Sequence, residues 1–354
     1  SHDVIIWNLP YLVPVKDSPH LGPMEEAALL DTDEKGLITR LLNLLKTTTI
    51  LAEGGTVFVL VSRNEKSKGI RKKCIAEGFA IRCVSTQLFE DGECLEVFAI
   101  WRPFEHQQKI FEKEIGSTNT ALLESNHETG TFLQAGRQLS GHGRRGREWS
   151  HEDVAFAGSW VIHDQNSIPS PGLLQLQGGL ALHEAINSCL HLEQSTILKW
   201  PNDALLKIGQ DIRKAGGVLV ESVSRGKATR VVLGIGCNIA SNEVHKNDFS
   251  LAALEELKEE ITLSDFESSI QASVASWFEQ KRGIGNVKKS DFLIRYTTVL
   301  ENSLPALGKP FYRQKEMTFK SIDSDGKMTL SDGSNSPRTI GDGEHIIWSN
   351  YSTD

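Results

Sequence analysis

The chain has 354 residues, 39% hydrophobic and 24% charged, a globular balance with enough apolar side chains for more than one core. At about 100–200 residues per domain, that length calls for two or three domains. The formal charge of −8 argues against general nucleic-acid binding, and no apolar run approaches the ~20 residues that span a bilayer. The five cysteines are odd in number and lack CxxC spacing, which disfavours a disulfide scaffold or structural zinc and fits a reducing cytoplasm. The chain opens on Ser1-His2 rather than Met, so a longer natural product and a short processing or tag remnant both stand open.

Residues 1–103 alternate α and β, as half of a doubly wound, Rossmann-like sheet. Val4-Ile5-Ile6-Trp7 is an apolar strand stopped by Asn8-Leu9-Pro10-Tyr11. Helical spacing over Asp33 to Ala52 puts Leu37, Leu41, Leu44 and Leu45 on one face, and Gly54-Gly55 ends that helix. A buried strand at 56–61, a basic helix from Lys66 to Glu77, and strands near 80–84 and 94–101 follow. Arg102-Pro103 marks a boundary. Residues 104–303 combine short strands and glycine clusters with a long apolar helix near Leu173–Leu190, a hairpin about Arg225-Gly226-Lys227, and a helix opened by a Ser264/Glu267 capping box. Its apolar face is Phe266, Ile270, Val274, Trp277 and Phe278. Residues 304–354 turn all-β, with Asp-Gly and Gly-Asp-Gly turns that suggest a small barrel.

Gly141-His142-Gly143-Arg144-Arg145-Gly146-Arg147 packs three arginines and three glycines into seven residues, followed by Glu148-Trp149. Glycine lets backbone approach a ligand closely, and guanidinium forks suit phosphate and carboxylate. A solvated basic loop fits the same residues. Lys199-Trp200-Pro201-Asn202-Asp203 follows the short strand Thr196-Ile197-Leu198 and places a lysine at a strand end, where it can point into a cleft or mark a plain surface turn. Lys214 to Glu221 and Gly234-Ile235-Gly236-Cys237-Asn238-Ile239 are strands bearing glycine, a sign of close ligand or backbone approach. The second lacks a third glycine and a following helix, so it is not a dinucleotide fingerprint.

In this order, the motifs resemble the biotin protein ligases. The resemblance runs from Ser117-Thr118-Asn119 through Gln138 and the 141–149 loop to Lys199–Asp203, Lys214–Glu221, Gly234–Asn238 and Ser250-Leu251. It ends in a domain opening at Leu307-Gly308-Lys309-Pro310 and continuing through Ile322 to Leu330 and Gly343-Glu344. It implies a class II synthetase-like catalytic domain with a mixed sheet at 104–303 and an SH3-like β-barrel at 304–354. It further implies two reactions: biotin and ATP give biotinyl-5'-AMP and diphosphate, and the biotinyl group then passes to one lysine of a biotin carboxyl carrier domain of a carboxylase. Ser117, Thr118, Asn119, Gln138, Gly141, His142, Arg144 and Gly217 would surround biotin. Arg144, Arg147, Trp149, Lys199, Asn202 and Asn238 would take the nucleotide, with Lys199 and Arg144 catalytic. Mg²⁺ would come with ATP, and no residue is assigned to it. The family usually has Arg where His142 stands, which implies a loop that closes less tightly or one that holds the intermediate in a pH-dependent way.

Residues 3–11 resemble the Asn-Pro-Pro-Tyr motif of S-adenosylmethionine-dependent glutamine or adenine N-methyltransferases, with Leu9 in place of the first proline. The segment 1–103 then resembles the C-terminal half of that fold, without its glycine-rich cofactor loop. A lipoate-type ligase, or a methyltransferase-derived interaction module joined to a degenerate ligase, are the alternatives. No DNA or membrane partner is expected, and a homodimer is compatible with everything read so far.

Overall fold

The computed structural model describes residues 1–10, 22, 24, 30–31, 33, 36–63, 69–149, 154–165, 170–192, 196–241, 251–333 and 336–351. Tyr11 and Ser250 lie outside the described residues. The chain divides into two units, one of residues 1–106 with 271–286, the other of 107–270 with 287–354.

In the first unit, β1 (His2–Asn8), α1 (Leu37–Thr47), β2 (Leu51–Ser62), α2 (Ile70–Ala76), β3 (Ala80–Leu88) and β4 (Cys94–Trp101) build a four-stranded sheet of order β1-β2-β4-β3. Only β1 and β2 run parallel. α1 lies between them in sequence, as a parallel crossover requires. Ile38, Leu41, Leu42 and Leu45 of α1 join Val57, Val59, Val61, Ile81 and Ile100 in one buried core. Each fully buried aliphatic side chain there contributes about 1.5–3 kcal/mol.

The helix is shorter than its leucine spacing predicts. Thr47 and Thr48 turn their hydroxyls back onto the Asn43 and Leu44 carbonyls at 2.8 and 2.7 Å, and Thr48 is already extended. That local competition ends the helix. Gly54-Gly55 is therefore not a helix terminator. It sits inside β2, where His2 pairs with Leu51 but Val4 pairs with Thr56, and Gly54 at φ 71° takes up the bulge.

Arg82 on β3 is buried, and burial lowers its guanidinium to about 10. It donates to the carbonyls of Ser276, Glu279 and Gly285 at 3.1, 3.0 and 2.9 Å. Trp101 donates its indole N–H to Glu279 at 2.8 Å. The Arg71 guanidinium stands 4.5 Å from the Trp277 ring centre. The segment 271–286 is thus held to the first unit by backbone carbonyls and aromatic faces.

The second unit carries a mixed seven-stranded sheet of order β5-β6-β7-β11-β10-β9-β8. Its elements are β5 (Lys109–Glu112), α3 (Thr118–Glu124), β6 (Phe132–Ala135), β7 (Val154–Gln165), α4 (Pro171–Leu190), β8 (Thr196–Lys199), β9 (Asp203–Ile208), β10 (Asp211–Arg225) and β11 (Ala228–Ala240). β5 and β6 are parallel and the other neighbours antiparallel. α4 buries Leu176, Leu180, Ala181, Leu182, Ala185 and Ile186. A Cβ on Gly178 would lie 2.6 Å from Val218, and one on Gly179 would lie 3.0 Å from the Pro201 carbonyl, so this glycine pair lets the helix settle on the sheet.

α5 (Leu263–Phe278) starts one residue before the predicted Ser264. Thr262 and Asp265 form the reciprocal cap, the Asp265 N–H donating to the Thr262 hydroxyl at 3.1 Å and the Thr262 N–H to the Asp265 carboxylate at 3.0 Å. α6 (Lys289–Leu307) runs past the predicted start of the all-β region and stops at Gly308, φ 79°. Beyond it, β12 (Pro310–Tyr312), β13 (Lys315–Glu316), β14 (Thr318–Ile322), β15 (Met328–Ser331), β16 (Arg338–Ile340) and β17 (Ile346–Trp348) form two three-stranded sheets, β13-β12-β17 and β14-β15-β16.

Candidate functional site

A cavity of about 640 Å³ opens in the second unit, within the ~300–1,000 Å³ range of small-molecule sites. At one end is a buried polar cluster at the start of α3. Ser117 caps the helix, accepting from the Thr120 N–H at 3.4 Å. Thr118 donates to the Gln138 side-chain carbonyl twice, from its N–H at 2.8 Å and its hydroxyl at 3.1 Å. Ser159 Oγ on β7 lies 2.7 Å from the Thr118 hydroxyl and 2.6 Å from the Asn119 carbonyl oxygen. Asn119 donates to Glu221 on β10 at 2.8 Å. Ser117, Thr118 and Asn119 are all buried, so their polar atoms are oriented before any ligand arrives.

Glycines of the sheet make room for this set. A Cβ on Gly234 would collide with the Asn119 amide, and one on Gly236 with the Trp149 indole. Both glycines in β11 therefore mark close approach of side chains from other segments.

At the other end stand two lysines on one carboxylate. Lys199, the last residue of β8, sits 3.1 Å from Asp203, and Lys214 on β10 sits 2.7 Å from its other oxygen. Burial alone would raise the Asp203 carboxyl, but Lys214 and Lys199 outweigh it and hold it at about 2. The Lys199 ammonium is also 5.3 Å from the Tyr351 ring centre, an aromatic face that suits a cation. A pair of ammoniums held in place by one buried carboxylate is a preset field for an anion.

The glycine–arginine loop lies along the rim as a small hairpin, Gly143 donating to the Arg147 carbonyl at 2.7 Å and Trp149 to the Gly141 carbonyl at 3.1 Å. Its tip is a 3-10 turn at Arg144–Gly146 with Arg145 at φ 59°, a left-handed conformation costly for a residue with a Cβ. Four ion pairs fix it: Arg144 with Asp342 at 2.9 Å, Arg145 with Asp342, Arg145 with Glu344 at 2.8 Å, and Arg147 with Glu344. Burial would raise the Asp342 carboxyl, but the Glu344 N–H and the Arg144 and Arg145 guanidiniums hold it below the ordinary range.

Ser117, Thr118, Asn119, Gln138, His142, Arg144, Arg147, Trp149, Lys199, Asn202, Gly217 and Asn238 all line the cavity. Gly141 does not; a Cβ there would meet the Gln138 amide at 3.0 Å, so it backs that side chain. Asn202 donates to the Val218 carbonyl at 2.7 Å and Asn238 to the Ala252 carbonyl at 3.2 Å. Both amides tie the cavity wall together. Sequence reasoning gave no role to Asp203, Glu221, Asp342, Glu344 or Tyr351. Asp203 and Glu221 were inside the quoted motifs, so the lysine on either side of Asp203 was a usable signal. Asp342 and Glu344 meet the arginine loop from almost two hundred residues away, and nothing local announces it.

Residues 112–238 match the Biotin/lipoate A/B protein ligase family, a span that contains the polar cluster, the arginine loop and both lysines. Among relatives, the biotin--[acetyl-CoA-carboxylase] ligase of Paracoccus denitrificans is 37% identical over 110 residues, 31% of this chain and 44% of that protein. The bifunctional ligase/repressor BirA of Escherichia coli is 34% identical over 139 residues, 38% of this chain and 41% of that one. The match thus spans less than half the length of these curated relatives. The biotin protein ligase from Aquifex aeolicus, solved in complex with biotin and ATP, superposes with a TM-score of 0.51 at 22% identity, over 69% of this chain and 99% of that one. Over that 69% of the chain the fold is shared.

Proposed function

We propose that the chain is an ATP-dependent biotin–protein ligase. The observation that carries this is the convergence on one cavity of the buried Thr118–Gln138–Ser159–Asn119 cluster with Lys199 and the arginine loop. A ureido ring offers one carbonyl acceptor and two N–H donors, and hydroxyls and amides can match both. The dithiolane of lipoate offers none of these, so it would gain no hydrogen bond from that cluster. This favours biotin over the lipoate reading.

In the first step, a biotin carboxylate oxygen attacks the α-phosphorus of ATP, and diphosphate leaves. Two unit charges ~4 Å apart at effective ε ~20 repel by about 4 kcal/mol, and Lys199, with Arg144 and Arg147, offsets this. In the second step, the neutral amine of a carrier lysine attacks the biotinyl carbonyl, and AMP leaves. Lys199 stabilises the negative charge on the carbonyl and phosphate oxygens in both steps. Trp149, close against Gly236, offers the adenine an aromatic surface. ATP brings Mg²⁺, which takes one or two carboxylates and otherwise phosphate and water. Both oxygens of Asp203 face lysines, and no cluster of three His, Cys, Asp or Glu occurs among the described residues, so the donor set suits an ion carried on the phosphates.

The carrier we infer is the biotin carboxyl carrier domain of a carboxylase. All five cysteines are free, which supports a reducing cytoplasm. No described helix is long and apolar enough to cross a membrane. The β1-α1-β2 parallel unit, with Asn8-Leu9-Pro10 at the strand end where ligands of such sheets bind, supports descent of the first unit from a methyltransferase half. We assign it a structural role. Micromolar S-adenosylmethionine binding by this chain would overturn that. The two small sheets at 310–348 support the SH3-like reading.

The test is incubation with ATP, Mg²⁺ and either biotin or lipoate. Biotinyl-5'-AMP and a biotin-labelled carrier are expected. Lipoyl-AMP as the preferred product, or no adenylate, would sink the assignment.

A further inference from the structure

Tyr351 follows β17, lines the cavity and is 8% exposed. A rigid turn holds it there. Trp348 pairs with Pro310 of β12, and the Tyr351 N–H returns to the Trp348 carbonyl at 3.2 Å. Between them, the Ser349 and Asn350 N–H groups donate to the Lys309 and Leu307 carbonyls at 2.9 and 3.1 Å. The Asn350 amide donates to the Ala306 carbonyl at 3.2 Å, and the Lys309 N–H to the Ser349 hydroxyl at 2.9 Å. A Cβ on Gly308 would lie 2.1 Å from that hydroxyl, so the turn packs directly on the end of α6.

Lys199 is the opposite case, an ammonium on a flexible four-carbon stem. It meets Asp203 at 3.1 Å and the Tyr351 ring centre at 5.3 Å. Asp203 also serves Lys214, which is nearer at 2.7 Å. One carboxylate oxygen is a single point of attachment, about which the stem can still turn. The ring supplies the second point. Burial, and then the charge of Asp203, push the Tyr351 phenol up, so Lys199 faces a neutral ring and is drawn by its π face.

We propose that Tyr351 is a positioning residue: its ring, fixed by the turn on α6, acts with Asp203 to hold the Lys199 ammonium where charge develops in both steps. This rests on the biotin-ligase reading for the reaction, but the contact between ring and ammonium does not. The pull of an aromatic face on a desolvated ammonium corresponds to about a tenfold preference for the held position. The Thr118–Gln138 cluster stands at the other end of the cavity. Loss of the ring should therefore lower kcat for adenylate formation and leave the KM for biotin alone.

Three measurements on the full chain test this. With lysines labelled at ¹³Cε and the signal assigned through Lys199→Arg, the Lys199 ε-methylene should lie upfield of exposed lysines in the parent and return to their position in Tyr351→Leu. Tyr351→Leu should lower kcat about tenfold at constant biotin KM, and Tyr351→Phe, which keeps the face, should restore most of that loss. Mono-, di- and trifluorinated phenylalanine at position 351 weaken the negative face at nearly constant size, so kcat should fall stepwise along the series. If Tyr351→Leu does not fold, the fluorinated series and the parent spectrum decide. A parental rate in Tyr351→Leu, a loss carried by biotin KM, equal rates along the series, or an ordinary Lys199 signal in the parent would overturn the proposal. No adenylate from the parent chain would instead refute the ligase reading, and the spectrum would still decide the contact.

Discussion

Replacing Asp203 by Asn removes the one carboxylate that Lys199 and Lys214 share. At 3.1 and 2.7 Å, with effective ε ~20, the two attractions amount to about 5 and 6 kcal/mol before desolvation. Burial of the carboxylate takes most of that back. The balance appears in its titration: a fall from 3.8 to about 2 is worth about 2 kcal/mol. A carboxyl lowered on folding stabilises fully above its unfolded value and loses that contribution as pH falls through its folded one. The stability gap between the parent chain and Asp203→Asn, from urea unfolding, should therefore be about 2 kcal/mol at pH 7 and shrink between about pH 4 and 2. Adenylate formation should drop as well, because Lys199 loses its anchor. A gap independent of pH down to 2, or no gap at all, would refute the shared-carboxylate account.

Lys199→Ala should leave the circular dichroism spectrum unchanged and abolish adenylate formation, by at least about a hundredfold; an active variant would displace Lys199 from its role. Gly236→Ala puts a methyl into the Trp149 indole, so ATP binding by calorimetry should weaken about tenfold while biotin binding changes less. Arg82→Ala strips the donor from the carbonyls of Ser276, Glu279 and Gly285. It should cost about 3 kcal/mol or more in unfolding free energy, read by denaturation. A loss below 1 kcal/mol would mean those carbonyls find water.

Local pattern carried much of the fold. Apolar runs located the four strands of the first unit's sheet and β8, β10 and β11 of the seven-stranded sheet, and Leu173–Leu190 marked α4 to within two residues. The misreadings came where two local signals competed. Leucine spacing favoured a helix to Ala52, but Thr47 and Thr48 close it through their own hydroxyls. Two overlapping Ser/Thr-x-x-acid patterns stood near 262–267, and the chain uses Thr262 with Asp265. In the site, Thr118 and Gln138 were legible through the resemblance to the biotin protein ligases and not from their spacing, since they stand twenty residues apart. Pairings made by tertiary structure were not legible. Asp342 stood in a Gly-Asp-Gly turn between strands, and Glu344 and Glu221 stood within stretches that carry the family resemblance, with nothing local to name the partner of any of them.

The pairing of the loop arginines with Asp342 and Glu344 has a thermodynamic consequence. A polyanion that binds a naked arginine cluster gains ion pairs and displaces mobile counterions, so its affinity falls steeply with ionic strength. Here the guanidiniums already have carboxylate partners. ATP reaching Arg144 and Arg147 would exchange one anion for another, and the number of ion pairs would barely change. Its affinity should accordingly be insensitive to salt, and Glu344→Gln, by leaving cations uncompensated, should make it salt-sensitive.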